Sequence, residues 1–413
     1  RDVPLWTLGG HVSTGQGLDW TCDEQPLVSW VPVTLGDALP AACPERFRPR
    51  ISVVVLHDGD YFPRRLAENP SLSSIVANGE LRRSFRTKRD WGASLVAESL
   101  SGVLGLGGYH RVNVARVAVD FNRFPGSTPR YAEHLNKLAI SGFLARDLGH
   151  ADKRWMLETL YDGLSSQIEQ AIGGRNIVLS IHTYDERNQS DTQRPEVSLL
   201  GRSHSYQHNS QLPEGLFDPL FPSVLVESTV KRLLRDRISL SLQKGGVYVE
   251  HNYPYCLPDG SLEIRSQPWY FFRRLRRHFE SIQPESASSE AFRTVWAMLL
   301  NTNLRSAEAN ALSAYLHRYL EPPVGKERLF EQALGAYGSI VKHLDVSPDL
   351  VDEYRFSERR TSALTIEVRK DLLADFEDGL PRQFHTAKAR EIGRLIAQGV
   401  GQYVRQDRLP SEA

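Results

Sequence analysis

Cysteine is scarce in this chain, methionine scarcer, and net charge absent. Only Cys22, Cys43 and Cys256 occur in 413 residues, an odd and sparse count that excludes a disulfide framework and fits a reducing cytoplasm. No Cys-x-x-Cys pair exists, which removes a thiolate zinc knuckle and leaves histidine and carboxylate as the metal donors available. Fifty basic and fifty acidic residues cancel, so no overall field draws the chain to nucleic acid or to a membrane surface. Apolar runs all fall short of the roughly 20 residues that span a bilayer, and Arg1-Asp2-Val3-Pro4 lacks the basic-then-apolar start of a signal peptide. The phosphate loop Gly-x-x-x-x-Gly-Lys is missing, as is the Gly-x-Ser-x-Gly nucleophile elbow, and Gly105-Leu106-Gly107-Gly108 has the wrong spacing for a dinucleotide fingerprint.

What remains is an ordinary globular composition, 40% hydrophobic and 24% charged, long enough for two or three domains. Three short apolar runs stand out because each carries an ionisable residue at or near its end. Ile51 to Leu56 leads into His57, Asn176 to Ile181 leads into His182, and Glu367 sits within Leu364 to Arg369. β-Branched runs of this length read as strands buried on both faces, as in a parallel sheet. Ligand sites of open α/β sheets lie beyond the carboxyl ends of such strands. Two imidazoles there, with a carboxylate, supply the three protein ligands of a catalytic zinc, and a separate glutamate can act as base.

The rest of the chain alternates between strand and helix patterns. An irregular layer over residues 1–50 precedes the first strand. A helix is expected from Asp90-Trp91-Gly92-Ala93 to about Leu104, a strand from Val112 to Phe121, and helices over about 131–147 and 153–172. A polar loop over 183–215 suits a surface active-site segment. A helix over 223–237, a strand near 246–250, mainly helices over 268–345, a strand over 363–368 and a helix over 386–405 complete the reading. The expected fold is α/β, a mixed, mostly parallel central sheet flanked by helices, with a helical insertion. Residues 1–256 plus 351–413 form the expected α/β domain and 257–350 the inserted subdomain.

Each candidate residue has a plainer reading beside the functional one. A histidine at a strand end is by default a hydrogen-bonded core residue; two at one sheet edge make a shared ligand more plausible. Asp60, three residues after His57, is placed slightly ahead of Asp90 as third ligand; Asp58 and Asp60 can instead be turn formers, and Asp90 a helix cap. Arg123 and Asn122, at a strand exit, suit a substrate carboxylate, and Arg116 suits a pocket wall or an ion pair. Glu367 and Glu263 lie in almost identical local patterns, so either can be the base, and Arg369 can neutralise the first.

Several of these segments, taken in order, resemble the N-formylglutamate amidohydrolase family, whose fold is related to that of zinc carboxypeptidases. The resemblance runs from about 50 to 260 and from about 350 to 405. It is carried by His57-Asp58-Gly59 through Pro63, Asp90-Trp91-Gly92-Ala93, Val119-Asp120-Phe121-Asn122-Arg123, Ser180-Ile181-His182-Thr183 with Arg194-Pro195, Asn252-Tyr253-Pro254-Tyr255, and Glu367-Val368-Arg369-Lys370-Asp371-Leu372. It implies one zinc ion per chain held by His57, His182 and a carboxylate, with Glu367 favoured over Glu263 as base; Arg116, which lies outside these motifs, is expected beside it as a catalytic residue from its place in the strand. The resemblance also implies that Asn122, Arg123, Asn252, Tyr255 and Arg369 face the substrate. Asp90 falls on a family position and Asp60 does not, which keeps both in contention. About 110 residues separate Tyr255 from Glu367, where the family has a short link. The expected activity is cleavage of an N-formyl or N-acyl amino acid or another small carboxylate-bearing amide, in the cytoplasm. Peptide cleavage and non-catalytic binding are the alternatives, and the insertion is the expected surface for self-association; neither nucleic acid nor a membrane is expected as a partner.

Overall fold

The computed structural model describes residues 20–34, 41–125, 139–203, 217–301 and 306–406. Seven strands form one sheet in the order β1-β3-β2-β4-β7-β5-β6. They span Val28–Pro32 (β1), Ile51–Val55 (β2), Gly108–Val112 (β3), Ile177–Tyr184 (β4), Val197–Leu200 (β5), Val249–His251 (β6) and Ser362–Arg369 (β7). Strands β3, β2, β4 and β7 run parallel at the centre, β1 pairs antiparallel to β3, and β5 pairs antiparallel to β7 but parallel to β6. A two-stranded ribbon, β8 (Ala374–Glu377) and β9 (Leu380–Phe384), lies outside this sheet. The fold is thus a mixed, mostly parallel α/β sheet with flanking helices, as the alternation of patterns implies.

Helices of eight or more residues are α1 (Glu80–Lys88), α2 (Ala93–Leu104), α3 (Asp162–Ile172), α4 (Arg232–Lys244), α5 (Leu262–Ile282), α6 (Glu290–Leu299), α7 (Ala307–Leu316), α8 (Glu327–Asp345), α9 (Asp349–Phe356) and α10 (Thr386–Gln406). Every residue of β2 and β4 is buried because helices cover both faces of the sheet. On one face Val53, Val55, Leu179, Ile181, Leu364 and Ile366 pack with apolar residues of α2, α4 and α10. The spacing of Ile392, Ile396 and Val400 along α10 gives that helix the continuous apolar stripe this packing needs. On the other face Val54, Leu56, Val178 and Ala363 pack with α1, α3 and Leu262 of α5. A third apolar cluster joins α5 to α9 through Phe271, Phe279, Trp296, Phe330 and Ile340, and it takes in Phe221 and Leu225.

Several expected elements differ. The strand expected over Val112–Phe121 ends at Val112, because the chain then turns: Ala118 and Val119 both donate backbone hydrogen bonds to Ala115. Its alternating valines are buried by that turn and by isolated bridges at Val114 and Val119, so they mimic a strand without forming one. The helix expected over 153–172 is interrupted by a π turn, Met156–Tyr161, before α3. The helix expected over 223–237 resolves into a 3-10 turn, Ser223–Val226, and the later α4. Part of the helix expected over 131–147, residues 1–19 and 35–40 of the layer expected over 1–50, and the polar loop from 204 lie outside the described residues. No described helix is long and apolar enough to cross a membrane.

Candidate metal centre

Sheet register brings the site together. In the parallel pair β4–β7, His182 stands opposite Glu367, so the two side chains leave the same face from adjacent strands. β2 pairs with β4 through Val54 and Ser180, and the chain continues past the end of β2 to His57, bringing that residue to the same rim. The third element is the segment before α2. The Asp90 amide donates to the His57 carbonyl at 3.0 Å, which fixes one backbone to the other. Gly92 then adopts φ 85°, a left-handed conformation that glycine tolerates, and α2 begins at the next residue. The loop after His57 is held equally tightly: a side chain at Gly59 would collide with the Asn113 carbonyl, 2.3 Å from an ideal Cβ.

His57, Asp90 and His182 are all buried, and each offers a donor atom within 4.8 Å of the others. Asp90 Oδ2 lies 2.8 Å from His182 Nδ1 and 3.5 Å from His57 Nδ1. The imidazole centroids are 4.8 Å apart, with the rings inclined at 61°. His57 Nε2 points the other way, 3.0 Å from Asp120 Oδ1. Arg116 bridges the two aspartates, 3.4 Å from Asp90 Oδ1 and 3.1 Å from Asp120 Oδ2. Glu367 accepts a 2.9 Å hydrogen bond from the Tyr255 hydroxyl.

Burial alone would raise the Asp90 pKa, but hydrogen bonds and charge from His182 and His57 outweigh it and hold the carboxyl below its ordinary value. Asp120 is likewise held low against burial, chiefly by Arg116 and His57. His182 is raised despite burial because Asp90 bonds to it and Glu367 adds negative charge. Glu367 is raised by burial and by the charge of Asp90, against the opposing effects of His182, Tyr255 and Arg116. Three carboxylates and one guanidinium therefore surround two imidazoles, an excess of negative charge that a divalent cation would balance.

The donor set fits such a cation. Two imidazoles and one carboxylate are ordinary zinc ligands, and both nitrogens of His57 and Nε2 of His182 are buried without a well-directed hydrogen bond. His57 further has the carboxylate behind its outer nitrogen that orients histidine ligands.

The placement of Asp60 reverses its ranking over Asp90. Its carboxylate lies 3.8 Å from Arg89 and 3.9 Å from Arg111, away from the imidazoles. Asp58 accepts from Arg89 at 3.0 Å and from the Ser94 amide in the first turn of α2, a capping contact worth about 1 kcal/mol. Asp90 does not cap that helix and is free for the histidines. Asn122 is also placed differently from expectation: its Oδ1 accepts from the Leu262 amide and holds the start of α5. Asn252, at φ 52°, accepts from the Gly201 and Arg202 amides and shapes a turn. Arg369 pairs with Asp371 at 2.9 Å and donates to the Arg194 carbonyl, contacts that turn it to Asp371 and not to Glu367. Arg123 is one-third exposed, with its Nε 3.9 Å from Asp120. Asp120 was missed as a site residue, although it stands in the Val119–Arg123 motif four residues after Arg116.

Comparisons with known proteins find no matching family model and no matching curated protein. Among solved structures, the N-formylglutamate amidohydrolase of Ralstonia eutropha aligns over 92% of this chain and 99% of its own, with 14% identity and a TM-score of 0.46. A gene product of Agrobacterium tumefaciens aligns over 86% and 91%, with 15% identity and a TM-score of 0.39. The first bears the name of the family that the sequence motifs resemble.

Proposed function

We propose that this protein is a zinc-dependent amidohydrolase in which His57, Asp90 and His182 hold the ion and Glu367 is the general base. The observation that carries the proposal is the buried His57–Asp90–His182 group with Glu367 in register beside His182. A zinc ion bound there would acidify water and polarise an amide carbonyl. Glu367, raised above its ordinary value, is tuned to take a proton from water and return it to the leaving nitrogen. The Tyr255 hydroxyl fixes one oxygen of that carboxylate, leaving the other for the transferred proton. Arg116, held between Asp90 and Asp120, keeps both aspartates charged and turned toward the imidazoles.

Substrate recognition falls to the cations around this group. Arg123 keeps an exposed fork beside Asp120. Arg194 lies 5.9 Å from the Tyr255 ring, and its Nε has no hydrogen-bond partner. Both suit a substrate carboxylate, as in an N-formyl or N-acyl amino acid. The test is hydrolysis of N-formyl, N-acetyl and dipeptide substrates by the zinc-loaded protein beside His182→Ala. Turnover of N-acyl amino acids that disappears in the variant is the expected result. Turnover of dipeptides alone would make it a peptidase, and tight ligand binding without turnover a binding protein.

A further inference from the structure

The two imidazoles of the centre are not equally supported. Asp120 stands behind His57, 3.0 Å from Nε2, but Nε2 of His182 is buried and reaches no partner. If Nδ1 of His182 faces an ion, its proton must sit on Nε2, and a buried N–H without an acceptor is costly. One carboxylate nearby has the matching deficit. Glu263 is completely buried, and neither of its oxygens has a hydrogen-bond partner.

Its position follows from the fold. Glu263 is the second residue of α5, and that helix starts where Asn122 accepts the Leu262 amide, two residues beyond Asp120. The same helix packs against β7, the strand carrying Glu367. The negative charge of Glu263 acts on His182 together with those of Asp90 and Glu367. A helix N-terminus tolerates a carboxylate, but here the group is turned into the protein, where a capping role would leave it at the surface.

Granted the metal centre proposed above, we infer that Glu263 is the positioning residue for His182, accepting its Nε2 proton through one bridging water when Nδ1 binds the ion. Asp120 and Glu263 then form matching supports, one behind each histidine. The inserted helical region, through the first turn of α5, thereby completes a site otherwise built at the sheet rim.

The test is zinc titration of wild type, Glu263→Gln and Glu263→Met, with thermal unfolding of each metal-free chain. Both variants are expected to bind zinc about 10- to 100-fold more weakly, the usual cost of losing an outer-shell partner. Their metal-free forms should unfold at the wild-type temperature or higher, since a buried carboxylate without a partner burdens the empty fold. In the zinc-loaded wild type, the His182 Nε2 proton should be an exchange-protected nuclear magnetic resonance signal that Glu263→Met, which has no oxygen acceptor, loses. Wild-type zinc affinity in both variants would overturn the inference, as would weakening that merely tracks a less stable metal-free chain. A wild type that binds no zinc would instead remove the metal centre itself.

Discussion

Among the described residues two pairs of histidines lie close together, and they differ in what surrounds them. At the sheet rim, His57 and His182 share Asp90 between them and have Asp120 and Glu367 alongside. In the helical region, His278 of α5 and His343 of α8 meet ring to ring, with Nδ1 and Nε2 3.0 Å apart and Phe279 packed against the second ring. Burial and the neighbouring His278 lower the His343 pKa, whereas Asp90 raises that of His182. The helical pair therefore satisfies one ring with the other and gains nothing from a cation. Proximity of imidazoles alone does not suit a cation; a carboxylate placed between them does.

That contrast can be broken most sharply at His182. His182→Ala should abolish stoichiometric zinc binding and amide hydrolysis, while His278→Ala leaves both at the wild-type level; metal analysis after dialysis checks each. Next in size is Glu367→Gln, expected to keep its zinc and lose about 10²- to 10⁴-fold in turnover, the usual contribution of a general base. A variant that kept its turnover would move the base elsewhere, with Glu263 first to be tested. Tyr255→Phe removes one hydrogen bond to a carboxylate, worth about 1.5 kcal/mol, so turnover should fall roughly tenfold.

Acidity separates the pairs more gently. His182 is raised above its ordinary 6.5, so below that raised value protons compete with the ion. Zinc affinity should weaken by roughly tenfold per pH unit for each proton displaced, read from titrations at several pH values. His343 behaves oppositely: its folded value is depressed, so the unfolded chain binds protons first and stability falls as pH drops below 6.5. His343→Phe, which removes the titrating group, should flatten that slope in denaturant unfolding, the smallest of these effects.

Much of the rim was legible in the sequence. β2, β4 and β7 announce themselves as apolar β-branched runs, and His57, His182 and Glu367 stand at or near their carboxyl ends because that is where a parallel sheet opens to ligand. The third donor was legible only as a choice between Asp60 and Asp90. Asp60 has the shorter spacing from His57, but Arg89 and Arg111 converge on it from separate segments, which one-dimensional spacing cannot reveal. Asp90 reaches the histidines only because its amide is tied to the His57 carbonyl. The strand exit at Asn122 and the family motif at Asn252 point both residues to substrate, yet both spend their side chains on backbone amides of neighbouring segments. The valines after β3 carry strand-like alternation through a turn, where burial rather than pairing selected them.

Anomalous diffraction at the zinc edge from crystals of the metal-loaded protein tests the central claim most directly. The account predicts one strong peak within bonding distance of His57, Asp90 and His182, with Glu367 beside it. A peak between His278 and His343, or none at the rim after loading with excess zinc, would contradict it.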